Sequence, residues 1–214
     1  MKRELTLQKN NPVITAAFNL LREIELATQI DQPVNVFIAG GVAVSFYDNE
    51  RKTKDLDVEF SKKILFAGEI EVFSPSGELE LFLDTNYSSA FSFLHENYLE
   101  DSIHVEPLVN LKWLIPFVLS PEDLVMSKLS RFAENDQHDI ANLIMGGWVD
   151  SSVLIQKCQE AIAYYIGNKT FLNHNINDVC QLASYVEQNP EFAESYTGQS
   201  GFFDLLANTN PGSA

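Results

Sequence analysis

Residues 34–60, VNVFIAGGVAVSFYDNERKTKDLDVEF, decide the fold that we expect for this chain. They begin with a β-rich apolar run at 34–38, which is followed after one alanine by a glycine pair and a short helical pattern at 42–47. A polar connector then leads to 55–60, where acidic and apolar residues alternate. Such alternation is typical of a strand with one buried face, because successive side chains point to opposite sides. The stretch therefore predicts a strand, a turn, a helix and a second strand.

The alternating stretch places two carboxylates side by side. Asp55 and Asp57 share one face of the predicted strand with Glu59, whereas the apolar residues between them face the core. Parallel carboxylates repel each other in water, but a divalent cation between them removes the conflict. Ligand sets made only of oxygen favour Mg²⁺ or Mn²⁺, and magnesium is commonly held by one or two carboxylates plus substrate phosphates. The pattern predicts a metal site at Asp55 and Asp57.

The glycine pair adds a second half to this predicted site. Gly40 and Gly41 stand where a strand passes into a helix, and the absence of side chains lets backbone N–H groups approach a phosphate. The helix N-terminus that follows favours negative charge. A nucleoside triphosphate would thus have a metal on one side and backbone donors on the other.

The rest of the chain predicts an α/β (α+β) fold with a small mixed sheet flanked by helices. A helix start is expected at Asn10, Asn11 and Pro12, and helical spacing of apolar residues continues from Ile14 to Ile30. A hairpin is expected over 69–73 and 78–84, and further strands over 103–108 and 113–119. From Ser120 onward the pattern is helical, with starts expected at Ser120, Asp136 and Asp150. The third of these helices is expected to run to Ile166 and a fourth to cover about 177–188, followed by a polar tail. We expect two domains: an α/β core over 1–119, and a C-terminal helical section over 120–214 packed on it.

Charge and composition limit the partners. The 214 residues hold 30 acids against 14 bases, a formal charge of −16. A protein that binds nucleic acid nonspecifically needs a basic footprint, so nucleic acid is expected only through a local patch. Magnesium-bound nucleotide or a basic protein partner suits this charge better. Cys158 and Cys180 stand in apolar helical stretches without metal-like spacing and are expected to be ordinary buried thiols.

The location follows from what the sequence lacks. Its apolar runs, such as 114–119, are too short to span a bilayer, and the residues after Met1 form no apolar signal-peptide core. We therefore expect a cytoplasmic protein without a membrane partner.

Two blocks of the chain resemble the nucleotidyltransferase superfamily, which includes polymerase β and minimal bacterial nucleotidyltransferases. The first is FIAGG at 37–41 followed by DLDV at 55–58, and Arg51 and Thr53 before the first acid match the bacterial branch. The second is SPEDL at 120–124 with the polar residues that follow it, namely Lys128, Arg131, Asp136 and Asp139. It resembles abortive-infection-toxin-type proteins and related bacterial families of unassigned function. Together the blocks cover about 34–144.

The resemblance implies a two-metal transfer of a nucleotidyl group. Asp55 and Asp57 would hold magnesium or manganese, and a third carboxylate would complete the site. Asp84, at the end of the second hairpin strand, is the preferred third acid, with Glu80 and Glu106 as alternatives.

Several further residues are expected to contact the nucleotide. The implied contacts are Gly40, Gly41, Ser45, Arg51, Thr53, Lys128 and Arg131. Ser45 is included because the turn is followed by a valine, where many active relatives have a serine. Arg51 either contacts phosphate or is solvated in a loop. Lys128 and Arg131 either converge on phosphate or pair on the surface with Glu122, Asp123 or Glu134. A structural cap and a salt bridge to Arg131 are the preferred roles of Asp136 and Asp139.

These residues support two main hypotheses. The first is an enzyme that transfers a nucleoside monophosphate from a nucleoside triphosphate to a hydroxyl of an unknown acceptor, which is a protein, a tRNA end or a small molecule. The resemblance extends this to a toxin–antitoxin or defence role. The alternative is a catalytically silent relative, an antitoxin-like module that binds nucleotide or a partner protein. A purely structural protein is a third, weaker hypothesis.

Overall fold

A computed structural model describes residues 11–28 and 30–209. In these residues the structure combines helices with two small mixed sheets, which confirms the predicted α/β class. The helices are α1 Pro12–Thr28, α2 Gly40–Ser45, α3 Pro121–Leu129, α4 Glu134–Met145, α5 Ser151–Ala161, α6 Lys169–Gln188, α7 Pro190–Glu194 and α8 Phe202–Asn208. The strands are β1 Val34–Ile38, β2 Asp55–Leu56, β3 Val58–Phe60, β4 Glu71–Phe73, β5 Leu79–Leu83, β6 Ile103–His104 and β7 Leu114–Val118. None of the described helices has both the length and the apolar character needed to cross a membrane.

The described chain divides into two compact units. The α/β unit holds the described residues up to Ser89 together with 99–120, and the helical unit holds Ala90–Tyr98 together with 121–209. The segment Ala90–Tyr98 belongs to the helical unit because its side chains and backbone bond there. His95 lies 2.8 Å from Glu160, and the backbone N–H of Glu96 donates to the Tyr164 hydroxyl at 2.9 Å.

In the α/β unit, residues 55–60 contribute strands to two different sheets. The first sheet has the strand order β3-β1-β7-β6 and the second has the order β2-β5-β4. β1 pairs with β7 in parallel and with β3 antiparallel, whereas β2 pairs with β5 in parallel. The predicted single strand over 55–60 is thus split at Asp57, because residues before and after it bond to different sheets. The carbonyl of Asp57 accepts the N–H of Ala39 at 2.9 Å, which ties the split to the end of β1.

Helix α1 covers the second sheet and starts where the sequence predicts. Asn11 caps it, since its side-chain oxygen accepts the N–H groups of Val13 at 2.9 Å and Ile14 at 3.3 Å. Phe18 and Leu21 point inward with no exposed surface. Burying such a side chain contributes about 1.5–3 kcal/mol, so this face holds α1 against β4 and β5.

The helical unit differs from the predicted pattern beyond residue 150. Asp150 caps α5 as expected, but the helix ends at Ala161 rather than near 166. α6 begins at Lys169, before the predicted start near 177, because Asn168 caps it by accepting the N–H of Phe171 at 3.1 Å. The polar tail beyond 189 forms α7 and α8. α8 is held by apolar contacts, with the rings of Phe202 and Phe132 5.3 Å apart.

Glu25 connects α1 to the start of β7. Its carboxylate accepts the backbone N–H groups of Lys112 at 2.9 Å, Trp113 at 2.7 Å and Leu114 at 2.9 Å. Burial opposes ionisation here, but the three N–H donors together lower the pKa of Glu25 below its ordinary value. The ionised carboxylate therefore stabilises the end of the loop that leads into β7.

We predict that Glu25→Gln lowers the free energy of unfolding by about 1 kcal/mol at pH 7, at the low end for a charged hydrogen bond because Glu25 is partly exposed. Since the folded pKa is lowered, this stabilisation is present above the unfolded pKa of about 4.3 and is lost as pH falls through the folded value. Urea unfolding at several pH values measures it.

The matched control for this experiment is Glu23→Gln. Glu23 lies two residues earlier on the same helix and makes a 3.6 Å ion pair with Arg22 on the surface. We expect a change below about 0.5 kcal/mol for this variant. Equal effects of the two variants, or a Glu25 effect that persists at low pH, would contradict the assignment.

Candidate active site

The register between β2 and β5 brings a third acid to the predicted carboxylate pair. Asp55 pairs with Phe82 and Leu56 with Leu83 in parallel. The ladder continues one step further, because the N–H of Asp84 donates to the carbonyl of Leu56 at 3.1 Å. The next residues in register are Asp57 and Asp84. Neighbouring strands lie about 4.8 Å apart, so this register sets the backbone of Asp57 opposite that of Asp84.

The two alternative third acids lie further away. Glu80 is four residues before Asp84 on β5, which is about 13 Å along a strand. Glu106 follows the edge strand β6, which is separated from β3 by β7 and β1. Three strand spacings amount to about 14 Å. The topology therefore favours Asp84 as the partner of Asp57.

Gly40 touches Asp57 directly. Its φ of +59° lies in the left-handed region, where a side chain is disfavoured. A Cβ atom at this position would lie 1.8 Å from the Asp57 Oδ2 atom and 2.8 Å from its Cγ. The space that a side chain would fill is thus taken by the carboxylate. The glycine turn and the Asp57 carboxylate are therefore in direct contact.

Thr53 and Arg51 complete the wall behind Gly41. A Cβ on Gly41 would lie 3.0 Å from the Thr53 side chain and 3.2 Å from the Arg51 Nη2 atom. The Thr53 hydroxyl donates to Asp55 Oδ1, and Arg51 donates through Nη1 to the Lys52 carbonyl. Thr53 therefore orients one oxygen of Asp55, and Arg51 brings positive charge beside the turn.

Ser45 is placed differently from the expectation that it contacts phosphate. Its side chain is completely buried, and its hydroxyl lies 3.2 Å from both the Gly41 carbonyl and the Arg51 carbonyl. The hydroxyl therefore bridges the turn and the connector from inside. We assign Ser45 a positioning role and leave it out of the nucleotide contacts.

Lys128 and Arg131 lie in the helical unit and are paired with acids. Lys128 is 6% exposed, and its Nζ lies 2.7 Å from Asp139 Oδ2 and 3.7 Å from Asp136 Oδ1. Arg131 donates to both oxygens of Asp136, at 2.7 and 2.6 Å. These geometries favour pairing with acids over phosphate binding, but the partners are Asp136 and Asp139 rather than the expected surface acids.

Asp136 also closes the first turn of α4. The helix starts at Glu134, so Asp136 stands at its third position and reaches back to accept the N–H of Ala133 at 3.0 Å. The prediction that Asp136 begins the helix is therefore displaced by two residues. Burial opposes ionisation, but the guanidinium of Arg131, the charge of Lys128 and the Ala133 N–H lower the pKa of Asp136.

The remaining acids of the second block are also used inside the helical unit. Asp123 is fully buried and accepts from Lys157 Nζ at 2.5 Å. Glu122 accepts the N–H of Asp150 at 2.9 Å. The sequence pattern did not indicate Lys157, which lies 34 residues from Asp123. The second block thus serves as a buried polar network that joins α3, α4 and α5.

The carboxylates fit a hard divalent cation by chemistry. Asp55, Asp57 and Asp84 supply only oxygen donors, and one Asp57 oxygen faces the glycine turn. As their side chains are placed, however, no three His, Cys, Asp or Glu residues within 11–28 and 30–209 converge into a metal-binding group. The β2–β5 register sets the backbone of Asp84 opposite that of Asp57, which lies two residues from Asp55.

Comparison with known families identifies the family of this chain. Residues 16–188 match the model of the family described as nucleotidyltransferase of unknown function (DUF6036). The chain therefore belongs to that family, which confirms the nucleotidyltransferase resemblance and extends it from α1 to the end of α6. No curated protein and no solved structure shows a significant match.

We predict that the destabilisation caused by Gly40→Ala depends on the Asp57 carboxylate. The cost of this substitution in free energy of unfolding should fall by at least about 0.5 kcal/mol when Asp57→Ala is already present, since removing the carboxylate frees the space for the new Cβ. A double-mutant cycle in urea measures the coupling. Gly77→Ala is the control, because Gly77 has a φ of +84° but no atom within 4 Å of the added Cβ. An equal Gly40→Ala cost in both backgrounds would rule out the contact.

We predict that Lys128→Met destabilises the protein by about 3–5 kcal/mol, because it leaves Asp139 buried without this cation. Lys169→Met is the control, since Lys169 is exposed and donates only to the Ala163 carbonyl at 3.1 Å among its described contacts. Denaturant unfolding compares the two. A stable Lys128→Met protein that has lost nucleotide binding would instead support phosphate binding by Lys128.

Proposed function

We propose that this protein is a metal-dependent nucleotidyltransferase that moves a nucleoside monophosphate from a nucleoside triphosphate to a hydroxyl of an acceptor. The observation that carries the proposal is the position of Asp57. Its carboxylate touches Gly40, and its backbone lies opposite Asp84 in the β2–β5 register. Family membership supports the transferase class. The metal, the substrate and the acceptor are the proposed part.

In this proposal Asp55, Asp57 and Asp84 hold Mg²⁺ or Mn²⁺. The ions would neutralise the triphosphate and lower the barrier to attack at its α-phosphorus. Thr53 keeps Asp55 oriented by its hydrogen bond. Asp84 takes the proton of the acceptor hydroxyl, whose oxygen bonds to the α-phosphorus while the bond to the β-phosphate oxygen breaks and pyrophosphate leaves.

Backbone and cationic groups would bind the phosphates. The first N–H groups of a helix lack intrahelical acceptors, and at α2 they follow the open turn of Gly40 and Gly41. Arg51 lies beside that turn, and the exposed Lys52 and Lys54 extend the positive charge along the connector. In a chain with a net charge of −16, this connector offsets the repulsion that a triphosphate would otherwise meet.

The acceptor and the setting follow from the charge and the resemblance. A protein side chain, a tRNA end or a small molecule all offer a hydroxyl, and the basic connector at 51–54 is the local patch through which a nucleic acid would bind. We propose a cytoplasmic, bacterial protein without a membrane partner, and a toxin–antitoxin or defence role with a protein partner.

A catalytically silent relative is the second candidate. Two observations favour it: the turn is followed by a valine without a hydroxyl, and the described acids do not converge on one ion. Such a protein would bind nucleotide or a partner without turnover.

The experiment is a thermal unfolding series with each nucleoside triphosphate, with and without Mg²⁺. A ligand at 100 times its Kd adds about 2.7 kcal/mol, which raises the Tm of a chain of this size by about 5 °C or more. We expect this rise only with magnesium, and we expect it to disappear in Asp55→Ala/Asp57→Ala. Asp84→Asn should weaken it, whereas Glu80→Gln on the same strand should retain it.

Pyrophosphate release then separates the two candidates. Release with a hydroxyl acceptor supports the transferase, and magnesium-dependent binding without release supports the silent relative. A wild type whose Tm responds to no nucleotide would oppose the transferase and a silent nucleotide-binding relative, and would favour a relative that binds only a partner protein.

A further inference from the structure

The helical unit contains a cavity that the proposed transfer reaction does not use. It has a volume of about 390 Å³ and lies among the end of α4, the turn after it, the end of α6, and α7. This volume falls within the range of about 300–1,000 Å³ that is usual for small-ligand sites. Its floor is apolar, with Ile144, Ala183 and Val186 buried beneath it.

Trp148 forms a fixed aromatic wall of this cavity. A Cβ on Gly146 would lie 2.7 Å from Trp148 Cδ1 and 2.9 Å from its Nε1, so the indole rests against the glycine backbone. Gly146 has an ordinary helical φ of −67°. The glycine is therefore needed here for the space that the indole occupies rather than for its conformation.

The charged part of the lining is entirely acidic. Glu187 and Glu194 contribute carboxylates, whereas the Asp150 carboxylate caps α5. The lining residues that the structure describes include no Lys, Arg or His. Glu187 accepts from the Ser151 hydroxyl, a neutral donor. The surrounding sequence adds to the field, because residues 132–214 contain ten acids and only two lysines. One of these, Lys157, is committed to Asp123.

We propose that this cavity binds an organic cation, namely an alkylammonium or guanidinium group attached to an apolar stem. The indole face attracts a cation and the carboxylates bind its N–H donors, while the apolar floor receives the stem. Two sources carry this chemistry: a free polyamine-like amine, or the Lys or Arg side chain of a peptide. The site is independent of the nucleotide site and of its metal.

The test titrates the full-length protein with hexane-1,6-diamine and follows tryptophan fluorescence in a Trp113→Phe background, where Trp148 is the sole tryptophan. Hexane-1,6-diol is the neutral control of equal length. We expect a saturable change with the diamine and none with the diol. Nα-acetyl-lysine methylamide forms a third arm, and tighter binding than the diamine identifies a peptide side chain as the source.

Variants assign the binding to the cavity. Glu187→Gln/Glu194→Gln should raise the Kd at least tenfold, and Glu194→Gln alone, at an exposed position, should raise it several-fold if the double variant is unstable. Glu100→Gln/Glu191→Gln removes the same charge at exposed positions outside the lining and should leave Kd within twofold. Equal loss in both double variants, no saturation, or equal binding of the diol would overturn the proposal.

Discussion

The contact between Gly40 and Asp57 is the constraint on which the α/β unit depends. The chain leaves β1, turns through a glycine in the left-handed region, and returns so that the Asp57 carboxylate fills the space beside that glycine. The carbonyl of Asp57 accepts the N–H of Ala39, and the residues on either side of Asp57 join different sheets. Any side chain at residue 40 would push the acid out of this position. The turn, the split strand and the carboxylates therefore form one unit.

Two sets of charged residues perform different work in the two units. In the α/β unit the acids at Asp55, Asp57 and Asp84 are half-buried, which leaves their oxygens within reach of a ligand. In the helical unit Asp123, Asp136 and Asp139 are almost completely buried, and each bonds to a lysine or arginine. A buried ion pair contributes little net stability but makes the loss of either partner costly. Helix packing thus accounts for the ion pairs of the second sequence block.

The strongly acidic chain sets a condition on the function that we propose. A triphosphate approaching a protein of charge −16 is repelled unless cations intervene. Arg51, Lys52 and Lys54 concentrate positive charge in the connector beside the glycine turn. The same acidity favours cations elsewhere, and the Trp148 cavity combines it with an aromatic wall. The basic connector thus favours an anionic ligand, whereas the acidic cavity favours a cationic one.

The sequence by itself determined the features that depend on nearby residues. The alternation at 55–60 and the glycine pair located the candidate site, and the capping residues Asn11 and Asp150 marked helix starts, because caps and periodicity act over a few residues. The tertiary structure decided the rest. The β2–β5 register sets Asp84 opposite Asp57. Lys128 is buried where it pairs with Asp139, which lies on another helix. Strand register and the burial of charge arise from pairs far apart in the chain, so no local pattern determines them.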